Sequence, residues 1–430
     1  MQRARSDTRP LDLAIIGGGP AGTAAALEAR RRGLQVAIWE RDSFPRHKVC
    51  GEFVSAESLP LLQREIPAAL ARGAVIRRAE FVAQSGCQYS FALPSPARGL
   101  SRLVMDEALW EAATHSGAET YAGTAIRSVS VRSASLPAWE RGRPARIPDT
   151  RLAQGGRDAR APRPGLDSPL PSRQLWEVQP AQSGNRIARA VLVACGRWWS
   201  LGGFPSPSQD ERAAGPWLGA KAHFAGAPPQ DAVEMYFFPG GYCGLAPIED
   251  GLYNVCCLVH RSLTCRASSE GLADFSRWLE KVARHPALEA RLRDATQVSK
   301  TTATAPIQPM RRRADCSGAL LAGDAAGFLD PFTGDGISQA LCAGRLAAET
   351  VAQACTGGCG SLGLAADAYR RHLRRAVARS YRVATLLRLL VGAPARLQQL
   401  AATLLSGFAP RLMTETRWHG IKLSKDAVIE

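Results

Sequence analysis

Leu13-Ala14-Ile15-Ile16-Gly17-Gly18-Gly19-Pro20-Ala21-Gly22 decides the fold. Four apolar residues read as a buried strand, three glycines as a turn, and Pro-Ala-Gly as the first turn of a helix. A second apolar run, Leu34 to Trp39, ends on the acid Glu40. Strand, glycine turn, helix, strand and terminal acid are the parts of a dinucleotide-binding βαβ unit. Gly17 permits the tight turn, Gly19 lets the backbone approach a pyrophosphate, and Gly22 lets the helix pack on the sheet. The amide of Ala21 lies at the helix N-terminus, where free N–H groups and the dipole favour phosphate. Glu40 is placed to accept hydrogen bonds from ribose hydroxyls.

Far along the chain stands Leu321-Ala322-Gly323-Asp324-Ala325-Ala326-Gly327, followed by Asp330-Pro331-Phe332-Thr333-Gly334-Asp335-Gly336-Ile337. With the N-terminal unit, this second segment points to FAD rather than NAD. Together they resemble the flavoprotein superfamily of aromatic hydroxylases, geranylgeranyl reductases and flavin-dependent halogenases, over most of the chain. The resemblance implies that Gly323 and Asp324 meet the flavin ribitol, and that Gly334, Gly336 and Ile337 pass the isoalloxazine ring. A helix starting there would aim a positive dipole end at the ring edge that gains negative charge on reduction.

The loop Phe44-Pro45-Arg46-His47-Lys48-Val49-Cys50-Gly51-Glu52 resembles the P-R-x-K-x-C-G segment of the reductase branch. By that resemblance it lies beside the flavin, with Arg46 and Lys48, after Arg41, as cations for the cofactor phosphates. Cys50 reads either as a small packed residue or as a thiol that a nearby cation activates. Arg102, ahead of Asp106, resembles the family's R-x-x-x-D element and implies a contact with FAD.

No catalytic triad or carboxylate pair stands out, as expected where a flavin carries the chemistry. The weak catalytic candidates are Cys50, Tyr236 and Tyr242, the tyrosines as hydroxyls over the pocket. W-x-W-x-I-P of the halogenase branch is absent. Met235-Tyr236-Phe237-Phe238-Pro239 keeps only part of the reductase branch's Y-x-W-x-F-P. Cys195-Gly196 stands where the hydroxylase branch carries Asp-Gly, a motif that helps bind FAD and the reduced nicotinamide.

The chain has 430 residues, 46% hydrophobic and 21% charged, enough for more than one core. Its net charge of +16 is not joined by a nucleic-acid-binding motif. A basic face for NADPH or for an anionic membrane surface is the expectation. Eleven cysteines without a C-x-x-C pair argue against zinc and for a reducing, cytoplasmic compartment. No secretory signal and no spanning helix is expected.

The expected fold is α/β: a Rossmann-like FAD-binding domain (1–78, 98–205 and 315–355) interleaved with a mostly antiparallel substrate sheet (79–97 and 206–314), plus C-terminal helices (356–430). Residues 138–174, rich in Arg, Pro and Gly, read as a mobile surface insertion. Helices are expected at Leu59 to Ala71, Met105 to Ser116, Gly271 to Ala295 and Ile337 to Cys355. The basic C-terminal helices read as a packed cap with a solvated face, or as a face that touches membrane or admits a lipophilic substrate. The implied function is an FAD-dependent oxidoreductase using NADPH or NADH. Hydroxylation of an aromatic or lipophilic metabolite comes first, and reduction of isoprenoid double bonds is the alternative.

Overall fold

The computed structural model describes residues 9–132, 175–197, 201–204, 215–264, 274–307, 310–311, 318–328, 331–356 and 362–391. The insertion 138–174 and the apolar stretch Leu397 to Leu405 lie outside them, as do Trp198 to Ser200.

The chain opens as β1 (Leu11–Ile16), α1 (Pro20–Arg31) and β2 (Val36–Trp39). Every residue of β2 is buried, as in a strand covered on both faces. Gly33 (φ +78°) ends the helix in the left-handed conformation typical of that position. Next come β3 (Phe53–Val54), α2 (Leu59–Glu65), α3 (Pro67–Arg72), β4 (Ala74–Ala83), β5 (Gln88–Gly99) and α4 (Arg102–His115). The single helix expected over Leu59 to Ala71 is thus two. Ile66 precedes Pro67, whose ring bars the helical conformation, and Ile66 adopts φ −137° and ψ 53°.

Then follow β6 (Glu119–Tyr121), β7 (Ile126–Arg132), β8 (Leu175–Pro180), β9 (Arg186–Val193), β10 (Trp217–Ala225), β11 (Ala232–Phe238), β12 (Gly241–Pro247) and β13 (Tyr253–His260). The helical region expected at Gly271 to Ala295 is α5 (Phe275–Ala283) and α6 (Pro286–Leu292). The last part holds β14 (Thr296–Gln297), β15 (Thr302–Ile307), β16 (Met310–Arg311), β17 (Leu320–Leu321), β18 (Gly327–Phe328), α7 (Gly336–Thr356) and α8 (Leu362–Val391).

Two large sheets result. The seven-stranded sheet runs β6-β2-β1-β9-β8-β7, with β17 also on β9. Its β6-β2-β1-β9 core is parallel, and β7, β8 and β9 are antiparallel. Helices α1, α4 and α7 cover one face through Ala24, Leu109, Leu341 and their neighbours. The α1–α7 contact is close: a Cβ on Gly344 would lie 1.9 Å from the Ala21 carbonyl oxygen.

The nine-stranded sheet runs β14-β10-β13-β12-β11-β4-β5-β3, with β15 also on β10. It is antiparallel except between β11 and β4. The ribbon β4–β5 spans Ala74 to Gly99, so the crossing into this sheet comes earlier than residue 79. Its back face, with Phe224, Tyr236, Phe238 and Tyr253, packs on α5 through Phe275, Trp278, Leu279 and Val282. Its front face turns toward the FAD-type segments.

Helix α8 docks through Tyr369, whose buried hydroxyl donates to the Leu321 carbonyl at 2.7 Å. Arg371, Arg374, Arg375, Arg379 and Arg382 remain exposed on the same helix. Among the described residues, no helix is long and apolar enough to cross a membrane.

Candidate functional site: a dinucleotide groove between two sheets

The glycine turn is built as its chemistry requires. Gly17 has φ +112°, and a Cβ there would lie 2.4 Å from the Ala194 carbonyl oxygen. A Cβ on Gly22 would lie 1.8 Å from the Gly17 carbonyl oxygen, so helix and strand could not close with any larger residue. Gly19 differs from both. It caps α1 with ordinary extended angles, φ −80° and ψ −176°. A Cβ there would meet only Arg102 Nη2, at 4.0 Å. The space before Gly19 is open, at a helix N-terminus, next to a guanidinium. A pyrophosphate fits that cradle. Buried Ala21 is the second residue of the helix, within its first turn.

Glu40 ends β2 and turns back on the cradle. Its Oε2 accepts from the Gly18 amide at 2.7 Å, and its Oε1 from the Asp42 amide at 3.1 Å. Arg46 Nη1 sits 2.6 Å from Glu40 Oε1 and 3.2 Å from Asp42 Oδ2. Lys48 Nζ pairs with Asp42 at 2.7 Å, and the largely exposed Arg41 also faces Asp42. The loop's cations therefore tie the loop to the end of β2.

Arg102 starts α4, where Ser101 accepts from the Val104 amide as N-cap. Two parallel bonds of 2.7 Å hold its guanidinium on Asp106. Asp106 thus fixes the Arg102 side chain, whose Nη2 lies nearest the open side of Gly19.

Asp324 lies beside the cradle, its side chain 39% exposed, with Arg197 Nε at 3.9 Å. Arg197, not singled out in the sequence, stacks over Phe328 with its Cζ 4.4 Å from the ring centroid. Gly323 (φ +61°) faces Ala21, and Gly334 (φ +69°) faces the Phe53 ring, each with a Cβ clearance of 3.2 Å. Gly336 starts α7 and, like Gly51, faces open space, while Ile337 is buried behind it. One groove therefore runs from Gly19 past Arg102 and Asp324 to Gly51 and Gly336. Its shape and donors fit an FAD laid from α1 to α7.

The Cys50 loop closes the groove against the front face of the second sheet. Asn254 Nδ2 donates to the Cys50 carbonyl at 2.9 Å. Burial pushes the Cys50 thiol up, and Glu52 adds to this while Arg102 opposes it. That environment keeps the sulfur protonated and apolar.

The two tyrosines separate. Register places Phe237 opposite Tyr242, and Tyr242 opposite Leu258. This front-face row meets Phe332, at ring distances of 5.6 Å to Phe237 and 5.7 Å to Tyr242. Tyr236 points to the back face. Its hydroxyl donates to Glu234 at 2.8 Å and its ring meets His285. It belongs to the packing under α6 rather than to the pocket, because side chains alternate along a strand.

Sequence reasoning missed a polar cluster on this face. Glu52, Lys221 and His223 are all buried and in mutual contact. Its signal was present: Lys221 and His223 alternate with Ala220, Ala222 and Phe224, charges on a strand whose other face is apolar.

Residues 12–129 match the family model for FAD dependent oxidoreductase. Digeranylgeranylglycerophospholipid reductase 2 of Methanopyrus kandleri is 27% identical over 350 residues, covering 80% of this chain and 77% of that protein. A flavin-dependent halogenase of Armillaria mellea is 22% identical over 377 residues, covering 81% of this chain but 66% of its own length. Among solved structures, the flavin-dependent brominase Bmp2 superimposes with a TM-score of 0.68 at 18% identity, over 95% of this chain and 94% of that one. A geranylgeranyl bacteriochlorophyll reductase-like protein from Thermoplasma acidophilum gives 0.66 at 18% identity, over 91% and 90%. The glycine cradle, the Glu40 turn and the Asp324 segment line one groove, and over most of its length the chain is similar to FAD-dependent oxidoreductases, among them geranylgeranyl reductases and flavin halogenases.

Proposed function

We propose that this FAD-dependent oxidoreductase is a monooxygenase that hydroxylates an aromatic or lipophilic metabolite, with NADPH or NADH as electron donor. The observation that carries this is the aromatic wall at the ring end of the groove. Phe81, Phe237, Tyr242 and Phe332 meet there at ring distances of 5.5–6.3 Å. Such a wall binds a flat apolar substrate and keeps water from it. FAD, when bound, supplies hydride acceptance and oxygen activation. The chain's own work is to hold and shield. Gly19, Arg102 and the α1 N-terminus take the diphosphate, Asp324 takes a ribitol hydroxyl, and the start of α7 faces the ring.

Reduction of an isoprenoid double bond is the second reading. The Cys50 loop and the reductase relative from Methanopyrus kandleri favour it. The test is to reduce the enzyme with NADPH and add, separately, a phenolic lipid in air and a polyprenyl alkene without oxygen. Oxygen consumption with a hydroxylated product is expected. Anaerobic reoxidation of the flavin by the alkene alone would replace the first reading by the second.

A further inference from the structure

Helix α8 carries charge of one sign along one face. Its sequence holds a single acid, Asp367, which Arg370 takes as an ion-pair partner. The chain has no further acid before Glu415, while Arg388, Arg396 and Arg411 intervene. Arg371, Arg374, Arg375, Arg379 and Arg382 are exposed, and none of the five pairs with an acid among the described residues.

Helical spacing sorts these side chains. At about 100° per residue, Arg371, Arg375, Arg379 and Arg382 fall within an arc of about 80°, with Arg374 beside them, over about 16 Å of axis. The opposite side holds buried Ala366, Tyr369 and Ser380, and Leu373, Ala376 and Val377 pack there on the core of the first sheet. The Tyr369 hydroxyl, donating to the Leu321 carbonyl, pins that side inward. Leu364, 60% exposed, stands two turns before Arg371 on the arginine line.

This face does not serve the helix. Arg371 and Arg375, and Arg375 and Arg379, are like charges four apart, and Arg371 and Arg374, and Arg379 and Arg382, are like charges three apart. Such pairs repel and weaken a helix. Nor does the face suit a small anion. A phosphate site converges its cations on one point, whereas these diverge from a convex surface. A plane of anionic headgroups meets all five at once, and Leu364 at the end of the line adds an apolar contact. The helix has neither Asn nor Gln with which to read bases.

The face is also joined to the groove. Leu321, which holds Tyr369, stands just ahead of Gly323 and Asp324. Helix α8 passes the turn Pro331–Thr333, which carries Phe332 of the aromatic wall. A bilayer lying on the arginines therefore has the ring end of the groove behind the same helix.

We propose that the arginine face of α8 docks this protein on an anionic phospholipid surface, with Arg371, Arg374, Arg375, Arg379 and Arg382 meeting the headgroups.

The test is sedimentation of the full chain with vesicles of phosphatidylglycerol and phosphatidylcholine in equal parts, against vesicles of phosphatidylcholine alone. Binding to the first and not to the second is expected. It should fall at least about tenfold between about 0.1 and 1 M salt, as the Debye length shrinks from about 10 to 3 Å. Each arginine near the surface contributes about fivefold, so Arg371→Gln, Arg375→Gln and Arg382→Gln together should weaken binding about a hundredfold. Lysine at the same three positions keeps the charge and should bind as wild type, which separates lost charge from lost packing. Arg127→Gln, Arg277→Gln and Arg293→Gln remove the same charge from exposed positions on other elements and should change binding less than about threefold. Equal loss in both glutamine sets would overturn the proposal, because the net charge and not this face would then be acting. So would equal binding to both kinds of vesicle, or a chain that ignores the anionic ones but loses a single-stranded RNA with the α8 substitutions. The measurement needs no flavin, so its failure leaves the proposed function standing.

Discussion

Gly17 and Gly19 stand two residues apart in one turn, yet alanine should do different damage at each. At Gly17 the added methyl meets backbone on the far side: the Ala194 carbonyl oxygen at 2.4 Å and carbon at 2.6 Å. The φ of +112° is also strained for any residue with a Cβ. Strain of this kind costs about 1–3 kcal/mol, and overpacking against rigid neighbours adds about 1–3 kcal/mol. Gly17→Ala should therefore destabilise the flavin-free chain by about 2–6 kcal/mol. At Gly19 the angles are ordinary and the methyl points into open space. Losing a glycine N-cap costs a few tenths to about 1 kcal/mol, and the stiffer unfolded chain returns about 0.4–1 kcal/mol. Stability should thus change by less than about 1 kcal/mol. The same methyl occupies the space assigned to pyrophosphate, so FAD affinity should fall at least about a hundredfold, or roughly 2.7 kcal/mol. Urea unfolding of the flavin-free proteins and fluorescence titration with FAD separate the two effects. Wild-type FAD affinity in Gly19→Ala would refute the placement of the diphosphate. An unchanged urea midpoint in Gly17→Ala would refute the packing argument.

Asp324→Ala should weaken FAD binding about ten- to a hundredfold without unfolding the chain; an unchanged flavin titration would remove Asp324 from the ribitol. Cys50→Ser should leave FAD content and turnover within a few-fold, because burial holds the thiol protonated. A loss of about a hundredfold or more with normal flavin would instead mark positioned proton transfer and favour the reductase reading. Glu28 tests the pH dependence. Burial raises its carboxyl, but bonds to Arg31 and Arg32 outweigh that and lower it from 4.5. Its contribution is then fully present above about pH 4.5 and lost as pH falls through the lower folded value. Glu28→Gln should be less stable than wild type at pH 7 in urea unfolding, with the gap closing toward pH 2; a gap independent of pH would contradict the ion pairs.

Much of the site was legible because its physics is local. A strand, three glycines and a helix start need no distant partner to be recognised, and Gly17, Gly22 and Glu40 stand where that motif requires. Loop cations were legible only as charges. The fold brings Glu40 and Asp42 to Arg46 and Lys48, partners that no spacing in the loop announces. Tyr236 and Tyr242 read alike in sequence. Strand parity assigns them to opposite faces, and only the placement of α6 and of Phe332 says which face is which.

The sequence alone determined the βαβ unit, the second glycine–aspartate segment and the mostly antiparallel sheet within 206–314, all of them patterns of neighbouring residues. Tertiary structure decided what those segments share. Asp324 stands 307 positions after Gly17, and they line one groove because β17 pairs with β9 and β9 with β1. Glu52 reaches Lys221 and His223 across an even less predictable gap, from a left-handed turn on a loop to the front face of β10. No periodicity encodes that meeting. It exists because two sheets pack together and leave one carboxylate and two bases no solvent to face.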